Sequence, residues 1–170
     1  MQISLQKINQ QPNQQLIVEE SIQLDELVDE VLGLERIEPV QVEAVFQNVG
    51  SRLYHGEVKE STQAVLTCSR CLTGYTVPLQ AEWSERFTDE ESRAIDSEEE
   101  IVHLVEAQTI DLDPYIREAL LLTIPFAPLC MEDCKGLCSV CGANKNVREC
   151  SCMTERIDPR LAALQDLFKE

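Results

Sequence analysis

The sequence predicts an α+β fold: an antiparallel sheet with a few short helices and a cysteine-rich, zinc-binding C-terminal segment. Three observations carry this expectation. Apolar and polar residues alternate over much of the first half, apolar residues recur at helical spacing only in short stretches, and eight cysteines are clustered rather than scattered.

The elements follow in order. Ile3 to Ile8 begins with alternation, Leu16 to Val18 is a second β-prone run, and the Gln/Asn/Pro cluster between them predicts a hairpin. Leu24, Leu27, Val28, Val31 and Leu32 have the spacing of a helix with one buried face, stopped at Gly33. Val40, Val42, Ala44 and Phe46 mark a half-buried strand over 40–48, with a turn at Asn48 to Ser51. Leu53 to Thr67 is β-prone. After a turn at 72–74, Tyr75, Val77, Leu79, Ala81 and Trp83 alternate with polar residues and Pro78, a residue that places this strand at an edge or turns its nitrogen away from a neighbour.

Residues 88–100, TDEESRAIDSEEE, hold seven acids and one base and predict a mobile, solvated loop. Asp113-Pro114 starts a helix, with Asp as cap and Pro in the first turn, that ends at Pro125. Asp158-Pro159 repeats the device before Leu161, Leu164, Leu167 and Phe168. The expected organisation is an α+β domain over 1–129, with a zinc-knuckle segment and C-terminal helix over 130–170 docked on it.

Fourteen basic residues stand against 31 acidic ones, a net charge of −17, the reverse of an ordinary nucleic-acid binder. Contact with RNA therefore requires a local basic patch; otherwise the immediate partner is a basic protein. The longest apolar run, Ala119 to Leu129, is short and broken by Pro125 and Pro128, so no membrane span is predicted. The first residues lack the features of a secretory signal or transit peptide, and a soluble, non-exported protein is expected.

In that setting clustered cysteines point to metal rather than disulfides. Cys68-Ser69-Arg70-Cys71 falls between two strand-like runs, where a hairpin tip would present two sulfurs to one zinc ion; a redox CxxC would instead open a helix. Cys130 and Cys134 are the nearest second pair. Cys138, Cys141, Cys150 and Cys152 form a self-contained set, with Gly136 and Gly142 at sharp turns. A rival partition joins Cys130, Cys134, Cys138 and Cys141, leaving Cys68, Cys71, Cys150 and Cys152 for the other ion. Spacing does not decide between them. Either way eight thiolates suit two structural zinc ions, each closed to water.

No nucleophile motif or phosphate loop is present, and a non-catalytic protein is expected. His55-Gly56-Glu57 imitates the H-x-E of zinc deaminases, but the P-C-x-x-C partner is missing, and His103 has no motif around it. Lys135, Lys145 and Arg148, with Asn144 and Asn146 among them, are the candidate RNA contacts, because zinc knuckles can offer such side chains to phosphates and bases. Four thiolates around a zinc ion carry about −2, which offsets that local charge.

CSRCL from Cys68, IDLDPYIREALLLTIP from Ile110, PLCMEDCKGLCSVCGANKN from Pro128, CSC from Cys150 and DPRL from Asp158 together resemble the YceD family of large ribosomal RNA subunit accumulation proteins of bacteria and plastids. The resemblance extends over nearly the whole chain. It implies a part in accumulation or processing of large-subunit ribosomal RNA, with pre-large-subunit RNA or a ribosomal protein as partner. It also implies a bacterial cytoplasmic location, or the plastid stroma for a mature plastid form. Two other readings stand beside an RNA-binding factor: an acidic escort for a basic ribosomal protein, and a thiol switch that releases zinc on oxidation.

Overall fold

The computed structural model describes residues 1–97 and 100–152. The helix expected from Asp158 lies outside these residues. Its elements are β1 (Gln2–Ser4), α1 (Leu5–Gln10), β2 (Gln15–Ile22), α2 (Leu27–Glu30), β3 (Leu34–Ile37), β4 (Val40–Gly50), β5 (Leu53–Thr67), β6 (Gly74–Thr88), β7 (Ile95–Asp96), β8 (Ile101–Leu104), β9 (Thr109–Asp111) and α3 (Asp113–Thr123).

The main sheet runs β2-β4-β5-β6-β8-β7, and β3 pairs with the far end of β5, on the edge that β4 occupies lower down. One face of this sheet is buried and the other faces solvent, which is why alternation was so clear in β4, β5 and β6. Val40, Val42, Ala44, Phe46, Tyr54, Val58, Leu79 and Phe87 form the inner face. Leu5 and Ile8 of α1, Leu24 and Leu27, and Ile116 and Leu120 of α3 complete the core.

Three expectations of strand and helix placement are corrected. Residues 3–8 do not form a strand that pairs with 16–18: only Gln2–Ser4 is strand, and it pairs with β9, Ile3 opposite Ile110. Leu5 and Ile8, three apart and both buried, belong to a helix. The helix expected over 24–32 shrinks to the single turn of α2, because Gly33 at φ +86° turns the chain back to the sheet and leaves Leu32 outside. The sheet is not wholly antiparallel, since β8 runs parallel to β6 at Phe87↔His103 and Thr88↔Leu104. A parallel neighbour needs a crossover, and the acidic segment supplies it. That segment carries a 3-10 turn at Glu91–Arg93 and the strand β7, and pairs Asp89 with Arg52 and Glu100 with Arg86.

Pro78 lies opposite Gln63, whose carbonyl is turned away to accept the Glu38 N–H at 2.9 Å, and β8 does not reach this part of β6, so the missing N–H costs no ladder bond. At α3 the residue before the helix is Leu112, and the expected Asp113 cap makes no side-chain cap bond. Asp111 takes that place by accepting the N–H of Asp113 at 3.2 Å, while the Asp113 carboxylate pairs with the amine of Met1. Among the described residues no helix is long and apolar enough to cross a membrane.

Candidate metal centre

β5 and β6 are both 15 residues long and in continuous register from Leu53↔Thr88 to Thr67↔Gly74. Their length carries the connecting turn, Cys68 to Thr73, well beyond the end of β4. The turn closes with Cys68 N–H on the Thr73 carbonyl at 3.0 Å and Leu72 N–H on the Cys68 carbonyl at 2.9 Å. Leu72 takes φ +58°. Cys138 to Gly142 repeats this turn, with Gly142 N–H on the Cys138 carbonyl at 2.9 Å and Gly142 at φ +70°.

The eight sulfurs fall into two groups: Cys68, Cys71, Cys130 and Cys134, then Cys138, Cys141, Cys150 and Cys152, each with ligand atoms within 4.8 Å of one another. This is the first of the two partitions open at the level of sequence. In group one, Cys68 and Cys134 sulfurs lie 3.7 Å apart and those of Cys71 and Cys130 lie 3.6 Å apart, distances that hold no disulfide. Cys68, Cys71 and Cys134 are buried, whereas Cys141 in group two is exposed. Neither group includes a histidine. His55 lies 3.4 Å from Glu57 on the open face of β5, and His103 Nε2 lies 3.2 Å from Glu85.

The chain reaches group one through backbone pairing. Ser69 N–H donates to the Pro128 carbonyl at 2.8 Å and Leu137 N–H to the Arg70 carbonyl at 3.1 Å, so the segment after α3 is laid against the hairpin tip. Gly136, at φ +70°, is needed here twice over, because a Cβ would also meet the Arg70 carbonyl oxygen at 3.0 Å. Asn146 joins the two knuckles: its Oδ1 accepts the Lys135 N–H at 2.8 Å, and its Nδ2 lies 3.3 Å from the Cys134 sulfur. Arg70 donates from Nη1 to the Cys134 carbonyl at 3.0 Å. Sequence reading missed Arg70 and the Asn146 bond to sulfur. Arg70 lies inside the CxxC itself, which was the available signal.

The sites are electrostatically unfinished as sets of thiols. Burial pushes the Cys68 thiol up, but backbone N–H groups of Cys130, Cys71 and Arg70 outweigh it and bring the thiol down to about 6. The N–H groups of Cys141 and Val140 bring Cys138 down to about 6. Their neighbours move the other way: burial and the Cys71 sulfur push Cys130 up to about 12, and the Cys141 sulfur and burial push Cys152 up to about 12. Each group thus stabilises its first thiolate and resists its last, as expected of four sulfurs that ionise together only around a cation.

The cations of the described residues divide largely by location. Arg36, Arg52, Lys59, Arg86, Arg93 and Arg117 each pair with a carboxylate. Among the described residues Arg70, Lys135, Lys145 and Arg148 have no ion-pair partner, and of the remainder only Lys7 shares this. Glu132, Asp133 and Glu149 occur in the same segment, so this end is marked by uncommitted cations rather than by positive net charge.

The sequence profile of the family described as Large ribosomal RNA subunit accumulation protein YceD matches residues 56–168. The chain belongs to the YceD family. The match takes in β6, α3 and all eight cysteines, and begins inside β5. The chain is 31% identical over 171 residues to the uncharacterized protein YlbN of Bacillus subtilis, covering all of this chain and 98% of that one. It is 37% identical over 130 residues to an uncharacterized protein of Mycobacterium leprae, covering 76% of this chain and 57% of the relative. A chloroplastic large ribosomal RNA subunit accumulation protein YCED homolog 1 of Arabidopsis thaliana is 30% identical over 151 residues, 88% of this chain and 45% of that protein. No solved structure matches.

Proposed function

We propose that this YceD-family chain is a non-catalytic factor in biogenesis of the large ribosomal subunit, in which two structural zinc ions shape an RNA-contacting end. The family description and the name of the Arabidopsis relative support the process. The sulfur geometry supports zinc: a tetrahedral ion with bonds of about 2.3 Å to sulfur has S···S edges of about 3.8 Å, and two S···S separations in group one are 3.6 and 3.7 Å. Four thiolates per ion leave no position for a substrate or water, which favours a structural role over a catalytic one.

The observation that carries the RNA contact is the division of the cations. Among the described residues the cations of the sheet, its turns, the acidic segment and α3 pair with carboxylates; on the knuckles Lys135, Lys145 and Arg148 remain available to phosphate, beside Arg70, which donates to the Cys134 carbonyl. The test is complementation of a depleted strain with Lys135→Ala/Lys145→Ala/Arg148→Ala. The expected result is normal protein and zinc content but reduced large-subunit RNA; full restoration would refute the contact. The bacterial relatives and the chloroplastic one make the bacterial cytoplasm, or the plastid stroma, the expected place of action.

A further inference from the structure

Away from the knuckles, a groove of about 850 Å³ opens between α3 and the segment joining β2 to α2. Ile22, Leu24, Leu121 and Leu122 line it, and Leu122 is 81% exposed although Ile116 and Leu120 of the same helix are buried. Its charged lining is one-sided. Arg117 is engaged by Glu30 and the Met1 amine by Asp113, while Glu26, Asp111 and Glu118 have no cationic partner among the described residues. We infer that this groove docks a short basic, amphipathic protein segment, whose aliphatic side chains enter between Leu24 and Leu122 and whose Lys or Arg side chains meet Glu26, Asp111 and Glu118.

Charge complementarity selects this occupant. Phosphate or an anionic lipid would be set against three carboxylates without a cationic partner, in a chain of net charge −17. A two-fold pairing of two copies through the groove would oppose the same carboxylates to one another. The chain's own residues 153–170 carry four acids and three bases, with little positive charge to offer. A basic segment gains on both counts, burying apolar surface and neutralising the rim, the mode in which amphipathic peptides occupy grooves. The volume is of the size that holds several side chains. The inference is independent of RNA contact at the knuckles, so either can fail alone.

The experiment uses the full, zinc-loaded chain and a fluorescent synthetic peptide with Lys/Arg on one helical face and Leu on the other. Controls are a scrambled peptide of the same composition and a single-stranded homopolymeric RNA. Anisotropy should show binding of the amphipathic peptide, weakened about tenfold by Glu26→Gln/Glu118→Gln and about threefold or more by Leu122→Ser. Both changes are at the surface, and circular dichroism checks that folding is retained. Equal binding by the scrambled peptide, or affinity unchanged in the variants, would overturn the proposal. So would RNA competing for the site, or a photo-crosslinker at position 122 reaching residues 153–170 or a second copy instead of the peptide.

Discussion

Two side chains on the inner face of the sheet show how closely single residues are constrained. Gly56 faces Phe46 across β4 and β5, and a Cβ at Gly56 would lie 2.5 Å from the ring. Phe46 is itself fully buried, so the ring has no space to yield. Gly56→Ala should cost about 2–3 kcal/mol in denaturant unfolding, whereas Gly56→Ala combined with Phe46→Leu should recover part of that loss. Gly56, the middle residue of His55-Gly56-Glu57, is therefore accounted for by packing, while His55 and Glu57 lie together on the opposite, open face. Glu60, 3% exposed on the inner face, takes the Trp83 indole N–H on one oxygen and has no partner for the other.

Burial, partly offset by that indole bond, holds the Glu60 carboxyl up at about 7. The folded protein then keeps a proton that the unfolded chain releases near 4.3. Its stabilising contribution is complete below that lower value and is lost as pH rises through 7. Glu60→Gln should accordingly be more stable than the parent at pH 8 by about 2 kcal/mol and converge with it near pH 4. Chemical denaturation across this range measures the difference; a constant offset would show that the proton is not involved.

The long β5–β6 hairpin connects the core to the candidate metal centre, and the two sulfur groups differ in what they join. Group one joins the hairpin tip to the segment after α3, while group two is drawn from residues 138–152 alone. Cys71→Ser should therefore lower stability by about 3 kcal/mol, roughly 10 °C in Tm, and remove one zinc ion. Cys152→Ser should cost about 1 kcal/mol or less while also removing one ion. Calorimetry with metal analysis on both variants tests this asymmetry, and equal losses of stability would contradict it.

The same elements show what was legible beforehand. β4, β5 and β6 were readable because their outer face is solvated, so burial imposes a period of two. The N-terminal strand was misread because the Ile3/Leu5 alternation straddles a strand-to-helix junction whose true partner, β9, is remote in sequence. The cysteine types and spacing announced two tetrads, yet their grouping depends on the Ser69–Pro128 and Arg70–Leu137 backbone bonds, which only the folded chain contains. The parallel pairing of β8 was unreadable for a related reason: a crossover built of acids looks, in sequence, like a spacer.

At the scale of the whole molecule, charge is sorted rather than uniform. Among the described residues the cations without an ion pair lie on the knuckles, apart from Lys7 on α1, so the net −17 does not forbid a grip on RNA. Removing Lys135, Lys145 and Arg148 together should flatten the log–log salt dependence of binding to large-subunit RNA fragments by about 2 to 3 units, at roughly 0.7 to 0.9 per lost phosphate contact. An unchanged slope would move the contact elsewhere.

The pairing of β1 with β9 has a consequence for the order of folding. The β4–β5–β6 meander is built from neighbours in sequence and can form early, whereas Ile3 meets Ile110 only by closing a loop that encloses the whole sheet. During synthesis, β1 must wait with its apolar side chains uncovered until β9 has left the ribosomal tunnel. Truncating Ile110 should consequently accelerate unfolding far more than it slows refolding, because the clasp closes after the rate-limiting barrier. The chain is thus threaded like a belt whose buckle is its first strand, fastened last.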